Sequence, residues 1–368
     1  MAQRAREQGV LPVRPPRERN GDHRGSRRRD HVTRVLNHKA AALTGRYATR
    51  REPFYLHLDT RAPHDSRERD PFGNCDREPI PVPRDGGLFK RNPLPRPPSF
   101  NEGDMTDKPP FMSAAPRLGK ADTALIRKHW RCALASLAGV DRGVAAIFDA
   151  VKAAGELQQT IFMFASDNGL FYGEHRIKTG KVLPYEEALR MPFLIKVPPR
   201  YRDGASRVGT VRRQVGNIDV APTILDFANG RPCAGAGDCR TMDGRSLVPL
   251  LTRSGGWPDD RGLLVEYRVP DVGRYATCDY AGVRTADELY VRHFRVVDAA
   301  TGECVATDQR ERYDLNRDRL ELDNLCPSGE LCPTDGRQGE LEALLDELRD
   351  CAGIAGRDPR AGGRPFCG

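Results

Sequence analysis

The sequence predicts an α/β protein, with a mostly parallel sheet flanked by helices and a smaller C-terminal α+β subdomain. A long amphipathic pattern over residues 121–155 is followed within five residues by a continuous apolar run, residues 160–165. A strand of this kind directly after a helix is typical of a parallel sheet covered on both faces. After residue 256 the pattern changes to several short strands and one closing helix, which indicates the second, smaller unit.

The first 29 residues differ from the rest of the chain. Residues 1–29 are rich in Arg, Pro and Gly and show no apolar periodicity, so we expect a disordered or out-of-frame tail. The chain carries a formal charge of +8, but residues 1–50 alone hold 13 Lys/Arg against 4 Asp/Glu. Neither a basic helix nor zinc-finger spacing accompanies this charge, so we expect no nucleic-acid partner. We also expect no membrane association, because the apolar runs are short, and we see no signal-peptide pattern.

The first predicted domain covers residues 30–255 and opens with a helix and a strand. Apolar residues within 32–43 recur on one helical face, which predicts a helix. The apolar run 54–58 predicts a strand that ends at the loop 61–64. Residues 71–116 are rich in Pro and in polar residues, which indicates a long excursion over the surface.

The centre of this domain contains the long helix and two strands. The helix carries an apolar stripe from Ile126 to Val151, and such a stripe is core rather than a functional site. The runs 160–165 and 193–197 are the two strands. Asp219 then marks the start of another helix, with Asp at the cap and a Pro in the first turn.

The smaller C-terminal α+β subdomain covers residues 256–368. Its predicted strands are 263–267, 289–297 and 312–315, and its closing helix is 340–351.

Ten cysteines favour an oxidising compartment. Three close pairs stand out, and neither Cys-x2-Cys spacing nor neighbouring His residues support a zinc site at them. We expect short-range disulfides in a periplasmic or extracellular enzyme; free structural thiols are the alternative. The pairs are Cys233/Cys239, Cys326/Cys332 and Cys351/Cys367.

The sequence Ser166-Asp167-Asn168-Gly169 follows the strand 160–165 directly. Ligands of parallel α/β sheets bind outside the carboxyl ends of strands. A carboxylate and an amide oxygen side by side suit Ca²⁺ or Mg²⁺, so the pattern predicts half of a metal site. The alternative is an ordinary turn, which these residue types also favour.

Further motifs surround this turn in a fixed order. Gly173-Glu174-His175 follows it, then Lys181 four residues before Tyr185-Glu186, and Arg190-Met191-Pro192 leads into the strand 193–197. The other motifs are Pro53–Leu56 with Ala62-Pro63-His64, Asn101-Glu102 with Asp107-Lys108-Pro109, Asn217–Leu225, Asp243–Leu247, and Tyr313–Asp318 with Glu321 and Asn324-Leu325.

In their order and spacing these motifs resemble the sulfatase family of the alkaline-phosphatase superfamily, over about residues 30–326. The stretch 101–109 looks most like the N-acetylglucosamine-6-sulfatase branch. The resemblance implies an alkaline-phosphatase-like fold truncated at its N-terminus and a Ca²⁺-dependent hydrolase of sulfate monoesters. The substrate implied is a small-molecule or glycan sulfate ester, possible examples being sulfated aminosugars and aryl sulfates; the oligomeric state stays open.

The resemblance also assigns roles to five residues. Asp167 and Asn168 would be half of the Ca²⁺ site. Lys181 would contact a sulfate oxygen, and His64 would reach the ester and protonate the leaving alcohol. His175 would bind substrate; a structural or surface histidine is the alternative.

Two parts of the family's site have no counterpart in this sequence. None of the ten cysteines has the Cys-x-Pro-x-Arg context from which the family makes its formylglycine nucleophile, and the Ser version is absent too. The Asp-Asp pair that supplies the other half of the metal site does not precede His64. We therefore expect weak Ca²⁺ binding and no hydrolysis by this chain, as in a truncated or frameshifted sulfatase.

Three other readings stay open at this point. The first is a phosphonate or phosphate ester hydrolase of the same superfamily. The second is a non-catalytic protein that binds sulfated glycans. The third is a gene product without function.

Overall fold

The computed structural model describes residues 31–50, 52–66, 75, 78–199, 209–230, 242–252, 257–258, 261–269, 277–330 and 332–350. The predicted tail, the boundary near residue 255 and the pairs Cys233/Cys239 and Cys351/Cys367 lie outside the described residues. The chain divides into two compact units. The first falls within Met1–Phe89 and Cys132–Ala150, and the second within Lys90–Arg131 and Val151–Gly368.

The described residues form both helices and strands, which are mixed along the chain. The helices are Val32–Ala48 (α1), Pro110–Ser113 (α2), Lys120–Ala153 (α3), Glu186–Leu189 (α4), Val220–Phe227 (α5), Val248–Thr252 (α6) and Gly336–Arg349 (α7). The strands are Phe162–Ala165 (β1), Phe193–Lys196 (β2), Leu263–Arg268 (β3), Thr277–Arg284 (β4), Glu288–Val297 (β5) and Cys304–Asp314 (β6). In the described part of the chain, no helix has both the length and the apolar character needed to cross a membrane.

The first unit packs α1 against the central part of α3. Asn37 on α1 donates its side-chain amide to the carbonyl of Gly139 at 2.8 Å, where the missing side chain allows a close approach. The predicted helix 32–43 is confirmed and extends to Ala48. The predicted strand 54–58 is wrong: it pairs with no other described segment, and Tyr55 is 65% exposed. An isolated extended run has no ladder of hydrogen bonds and is not a strand.

In the second unit, β1 and β2 confirm the two predicted central strands, but their pairing differs from the prediction. They run antiparallel, with Phe164 opposite Leu194, whereas the sequence predicts a mostly parallel sheet. The reason is that the helix between the two strands, α4, has only 4 residues and is too short for the crossover that a parallel pair needs. The sequence predicts a sheet covered on both faces. Phe164 is 40% and Leu194 60% exposed, so the face that carries them is not covered by other described residues.

Within the second unit, the described residues after 256 form an α+β arrangement, as predicted. Strands β3, β4, β5 and β6 form one antiparallel sheet in chain order. One face packs on α7 through an apolar cluster that includes Val283, Tyr290 and Leu341. The other face, with Tyr280 and Leu289, packs on the apolar side chains of the segment 171–189 that follows β1. The sheet is therefore the platform for that segment.

Three disulfides join described residues. Cys326–Cys332 confirms one of the predicted close pairs. Cys75–Cys132 and Cys278–Cys304 link residues that are distant in sequence, so spacing gave no signal for them.

Asp219 precedes α5, as predicted, but its side chain does not cap that helix. Its carboxylate instead accepts hydrogen bonds from both Nη groups of Arg261, at 2.7 and 2.8 Å. It also accepts hydrogen bonds from the backbone N–H groups of Gly216 and Arg245. This buried pair fixes the start of α5 against the segment that leads into β3.

Candidate functional site

The turn after β1 is held closely against α4. Ser166 donates its hydroxyl to the carbonyl of Asn168 at 2.7 Å, and Gly169 donates its N–H to the carbonyl of Ala188 at 2.8 Å. A Cβ atom at Gly169 would lie 1.9 Å from the carbonyl oxygen of Glu187. Only glycine therefore fits at this position, and the turn presents Asp167 and Asn168 at the carboxyl end of the strand.

Lys181 meets this turn. Its ammonium group donates to Oδ1 of Asn168 at 2.8 Å and lies 3.8 Å from Oδ2 of Asp167. The side chain of Asp167 is 83% exposed and that of Lys181 38% exposed, so the group faces solvent. Asn217, which lies just before α5, donates a hydrogen bond from its side-chain amide to the carbonyl of Asp167 at 2.9 Å and so supports the turn. Three of the five predicted site residues thus form one exposed cluster, in which the Lys181 ammonium lies beside the Asp167 carboxylate and the Asn168 amide oxygen.

These residues fit calcium in the type of donor but not in number. Asp167 and Asn168 supply three side-chain oxygens, and that of Asn168 already accepts a hydrogen bond from the Lys181 ammonium. Calcium takes about six to eight oxygen ligands. Among the described residues, no group of three acidic, His or Cys side chains includes Asp167. The described residues therefore do not form a complete calcium site.

His64 belongs to the first unit, whereas the other predicted site residues belong to the second. It follows the cis bond between Ala62 and Pro63 and is exposed. Its Nδ1 atom lies 3.1 Å from the carbonyl oxygen of Asp65. Its catalytic role stays a prediction.

His175 does not join the exposed cluster. It is fully buried, with a positive φ of 49°, and its Nδ1 atom lies 2.7 Å from Oε2 of Glu102. Its Nε2 atom lies 3.6 Å from Oε2 of Glu187, beyond hydrogen-bond distance. The ring stacks on that of Tyr185 at 4.4 Å. This environment supports the structural alternative for His175, and a contact with substrate stays a prediction.

Buried charge surrounds His175. Lys108 is fully buried, donates to the carbonyls of Glu321 and Leu322 at 2.8 and 2.9 Å, and lies 3.6 Å from Oε1 of Glu102. Burial by itself lowers the pKa of His175, but Glu102 and Glu187 outweigh it and raise the pKa to about 9. The imidazole is therefore a cation at neutral pH and balances one of these carboxylates.

Among the described residues, no basic side chain forms an ion pair with the carboxyl group of Glu321. Burial raises its pKa well above the ordinary value, and the hydrogen bond from the Glu186 N–H only partly opposes this effect. Sequence reasoning placed Glu102 and Glu321 in motifs but gave them no role, and it did not single out Glu187. Their partners are far away along the chain, for example 73 residues between Glu102 and His175, so spacing carries no signal of the contact.

Comparison with protein families decides the affiliation. The family profile described as "Sulfatase" matches residues 16–230, which is more than half of the chain. The chain belongs to the sulfatase family. A second profile, described as "N-sulphoglucosamine sulphohydrolase, C-terminal", matches residues 173–348 and includes the antiparallel sheet and α7.

Curated relatives agree with this family. An arylsulfatase from Volvox carteri is 31% identical over 362 residues, covering 89% of this chain and 52% of the relative. An N-acetylglucosamine-6-O-sulfatase from Bacteroides thetaiotaomicron is 28% identical over 224 residues, covering 61% of this chain and 36% of the relative. The chain thus spans about half the length of the first of these relatives, and less of the second.

The fold has relatives among solved structures. A phosphonate monoester hydrolase from Silicibacter pomeroyi superposes with a TM-score of 0.62 at 20% identity, over 89% of this chain and 61% of that one. Identity at this level shows the fold alone. The fold is the alkaline-phosphatase-like fold, as the sequence motifs predict.

Proposed function

We propose that this sulfatase-family chain binds sulfate monoesters, with Lys181 contacting a sulfate oxygen. The observation that carries the proposal is the ammonium of Lys181, fixed at 2.8 Å from Asn168 in an exposed turn at the end of β1. A charge that is held in place before the substrate arrives stabilises negative charge on a transferring group without reorganisation. Sulfate esters develop such charge in their transition states.

The substrate class we propose is a sulfated aminosugar or an aryl sulfate. Two observations support it: the names of the two curated relatives, and the buried position of Glu102 and Lys108 from the motif at 101–109. That motif is part of the folded second unit, so its resemblance to the N-acetylglucosamine-6-sulfatase branch extends to a structural element.

Hydrolysis needs a nucleophile that the printed sequence does not show. No Cys-x-Pro-x-Arg or Ser-x-Pro-x-Arg segment occurs in the 368 residues. The covalent route of the family therefore has no nucleophile in this sequence. We propose that this chain binds sulfate esters without turnover, and that calcium binds weakly through Asp167 and Asn168. The proposal for calcium is tested by titration of the purified chain with Ca²⁺.

The experiment measures turnover and binding separately. The full chain is assayed with 4-methylumbelliferyl sulfate, and its affinity for N-acetylglucosamine-6-sulfate is measured by calorimetry. We expect no turnover above background. We also expect that Lys181→Ala lowers the affinity for the sulfate ester at least about tenfold, because a charged hydrogen bond is lost. Lys178→Ala is the matched control, because Lys178 is 62% exposed and pairs with Asp122 instead.

Robust turnover would contradict the inactivity. Equal affinity of wild type and Lys181→Ala would contradict the assignment of the site.

We also propose that the protein is exported, to the periplasm or the cell exterior. The support is the set of disulfides in the described residues, since such bonds persist in oxidising compartments. Alkylation of the protein from the producing cells, denatured without reductant, tests this: we expect Cys278 and Cys304 to be protected until a reductant is added. Alkylation of both without reductant contradicts the proposal.

A further inference from the structure

Two buried side chains and one half-buried side chain point one unpartnered atom each into the same space. His175, Glu187 and Glu321 offer ligand atoms that all lie within 4.8 Å of one another. Nε2 of His175, Oε2 of Glu187 and Oε1 of Glu321 are buried and have no hydrogen-bond partner. Buried polar atoms are nearly always partnered in folded proteins. Three such atoms in one place call for a ligand.

The other polar atom of each side chain is held by the protein. Nδ1 of His175 lies 2.7 Å from Glu102, and the second carboxylate oxygen of Glu321 accepts the N–H of Glu186 at 2.8 Å. The second oxygen of Glu187 accepts the hydroxyl of a buried serine at 3.2 Å. A carboxylate that orients a histidine through its far nitrogen is the usual support of a metal-bound imidazole.

A divalent cation would also balance the buried charge. Bound to neutral His175 and to the carboxylates of Glu187 and Glu321, it makes the group electrically neutral. Glu102 remains balanced by Lys108, whose ammonium lies 3.6 Å from it. Without a cation, two carboxylates share one space shielded from water with a single imidazole, which is costly.

We propose that His175, Glu187 and Glu321 bind one transition-metal dication, with zinc the ion that this donor set suits best. One imidazole and two carboxylates match zinc, whereas calcium takes oxygen ligands alone. Two ligand atoms bound to tetrahedral zinc lie about 3.3 Å apart. The 3.6 Å between His175 and Glu187 is close to that value. The site is separate from Asp167 and Asn168, and its role is to tie together three segments of the second unit.

The test measures zinc on the full-length chain. The protein is stripped with a chelator, transferred to metal-free buffer and titrated with Zn²⁺ by calorimetry, with the metal content determined by mass spectrometry. We expect one zinc per chain. His175→Gln and Glu321→Gln should each weaken its binding at least about 100-fold, since a direct ligand is lost.

Two controls separate this site from other histidines and acids. His293→Gln replaces another fully buried histidine, whose Nδ1 faces Thr277 at 3.4 Å and whose Nε2 faces Glu311 at 2.8 Å. Asp167→Ala removes the carboxylate of the exposed turn. Both variants should bind zinc as the wild type does.

A spectroscopic measurement keeps the test independent of variant folding. Co²⁺ added to the stripped wild-type chain should give the intense visible absorption of a four- or five-coordinate site, and one equivalent of Zn²⁺ should abolish it. The proposal is overturned if the wild type takes up no zinc, or if both ligand variants fold and retain its affinity. It is also overturned if cobalt gives only the weak spectrum of a hydrated ion.

Discussion

The buried pair of Asp219 and Arg261 allows a quantitative test of how the second unit is stabilised. The side chain of Asp219 is fully buried and that of Arg261 is 1% exposed, and two parallel hydrogen bonds of 2.7 and 2.8 Å join them. Removing one partner of such a pair leaves an uncompensated buried charge and costs about 3–5 kcal/mol. We therefore expect Asp219→Asn to lower the free energy of unfolding by about 3–5 kcal/mol.

The remaining contacts of each group set the order of the variants. After Asp219→Asn the guanidinium retains chiefly the ring of Trp257, whose centre lies 5.1 Å away. After Arg261→Met the carboxylate still accepts the N–H groups of Gly216 and Arg245, each at 2.8 Å. Arg261→Met should therefore cost less than Asp219→Asn. The double variant carries no buried charge, so it should be more stable than the sum of the two effects by about 1–3 kcal/mol.

Urea unfolding followed by tryptophan fluorescence measures these energies, because Trp257 adjoins the pair. Arg190→Ala is the control: Arg190 is 67% exposed and lies 3.8 Å from Glu186, and exposed pairs contribute at most about 1 kcal/mol. A cost below about 1 kcal/mol for Asp219→Asn, or strict additivity of the double variant, would refute the reasoning.

Three further predictions concern other contacts. Replacing Cys326 and Cys332 by Ser opens a loop of six residues and should lower the free energy of unfolding by about 2 kcal/mol, measured by urea unfolding against the oxidised wild type. Burial raises the pKa of Glu311, but hydrogen bonds from His293 and two tyrosines outweigh it and lower the pKa. Its contribution is therefore complete above about pH 4.3 and lost as pH falls further, so Glu311→Gln should flatten the acid limb of a stability–pH curve. Gly169→Ala should lower the free energy of unfolding in urea by about 1–3 kcal/mol and abolish sulfate binding in calorimetry, because the new Cβ meets a backbone carbonyl. For each of the three variants, values equal to those of the wild type would contradict the role given to the contact it removes.

The helices were predictable because their signal is local. The apolar stripe between Ile126 and Val151 predicts a helix over 121–155, and α3 runs from Lys120 to Ala153. Strands depend on partners that periodicity does not reveal. The run 54–58 has strand composition but no described partner, while Thr277–Arg284 includes Asp279 and Gly282 and still forms β4, because β3 and β5 pair with both of its edges.

The same difference separates the two parts of the site. Asp167, Asn168 and Lys181 lie within a stretch of 15 residues, and a local motif was enough to place them together. The contact between the Glu186 N–H and Glu321 spans 135 residues and depends on how the segment after β1 rests on the C-terminal sheet. A sequence read for composition treats such charged residues as solvated, whereas the fold buries them.

The segment that carries Lys181 is anchored at both ends by buried polar contacts. Before it, Phe171 and Gly180 pair through a hydrogen bond of 2.9 Å, and His175 binds the Glu102 carboxylate. After it, the hydroxyl of Tyr185 donates to a buried glutamate of β6 at 2.7 Å. The position of the exposed ammonium is therefore set by groups that never reach solvent. A change in the buried charges should alter the position of the Lys181 ammonium, and with it the proposed sulfate binding, because a short segment with fixed ends has little freedom of its own.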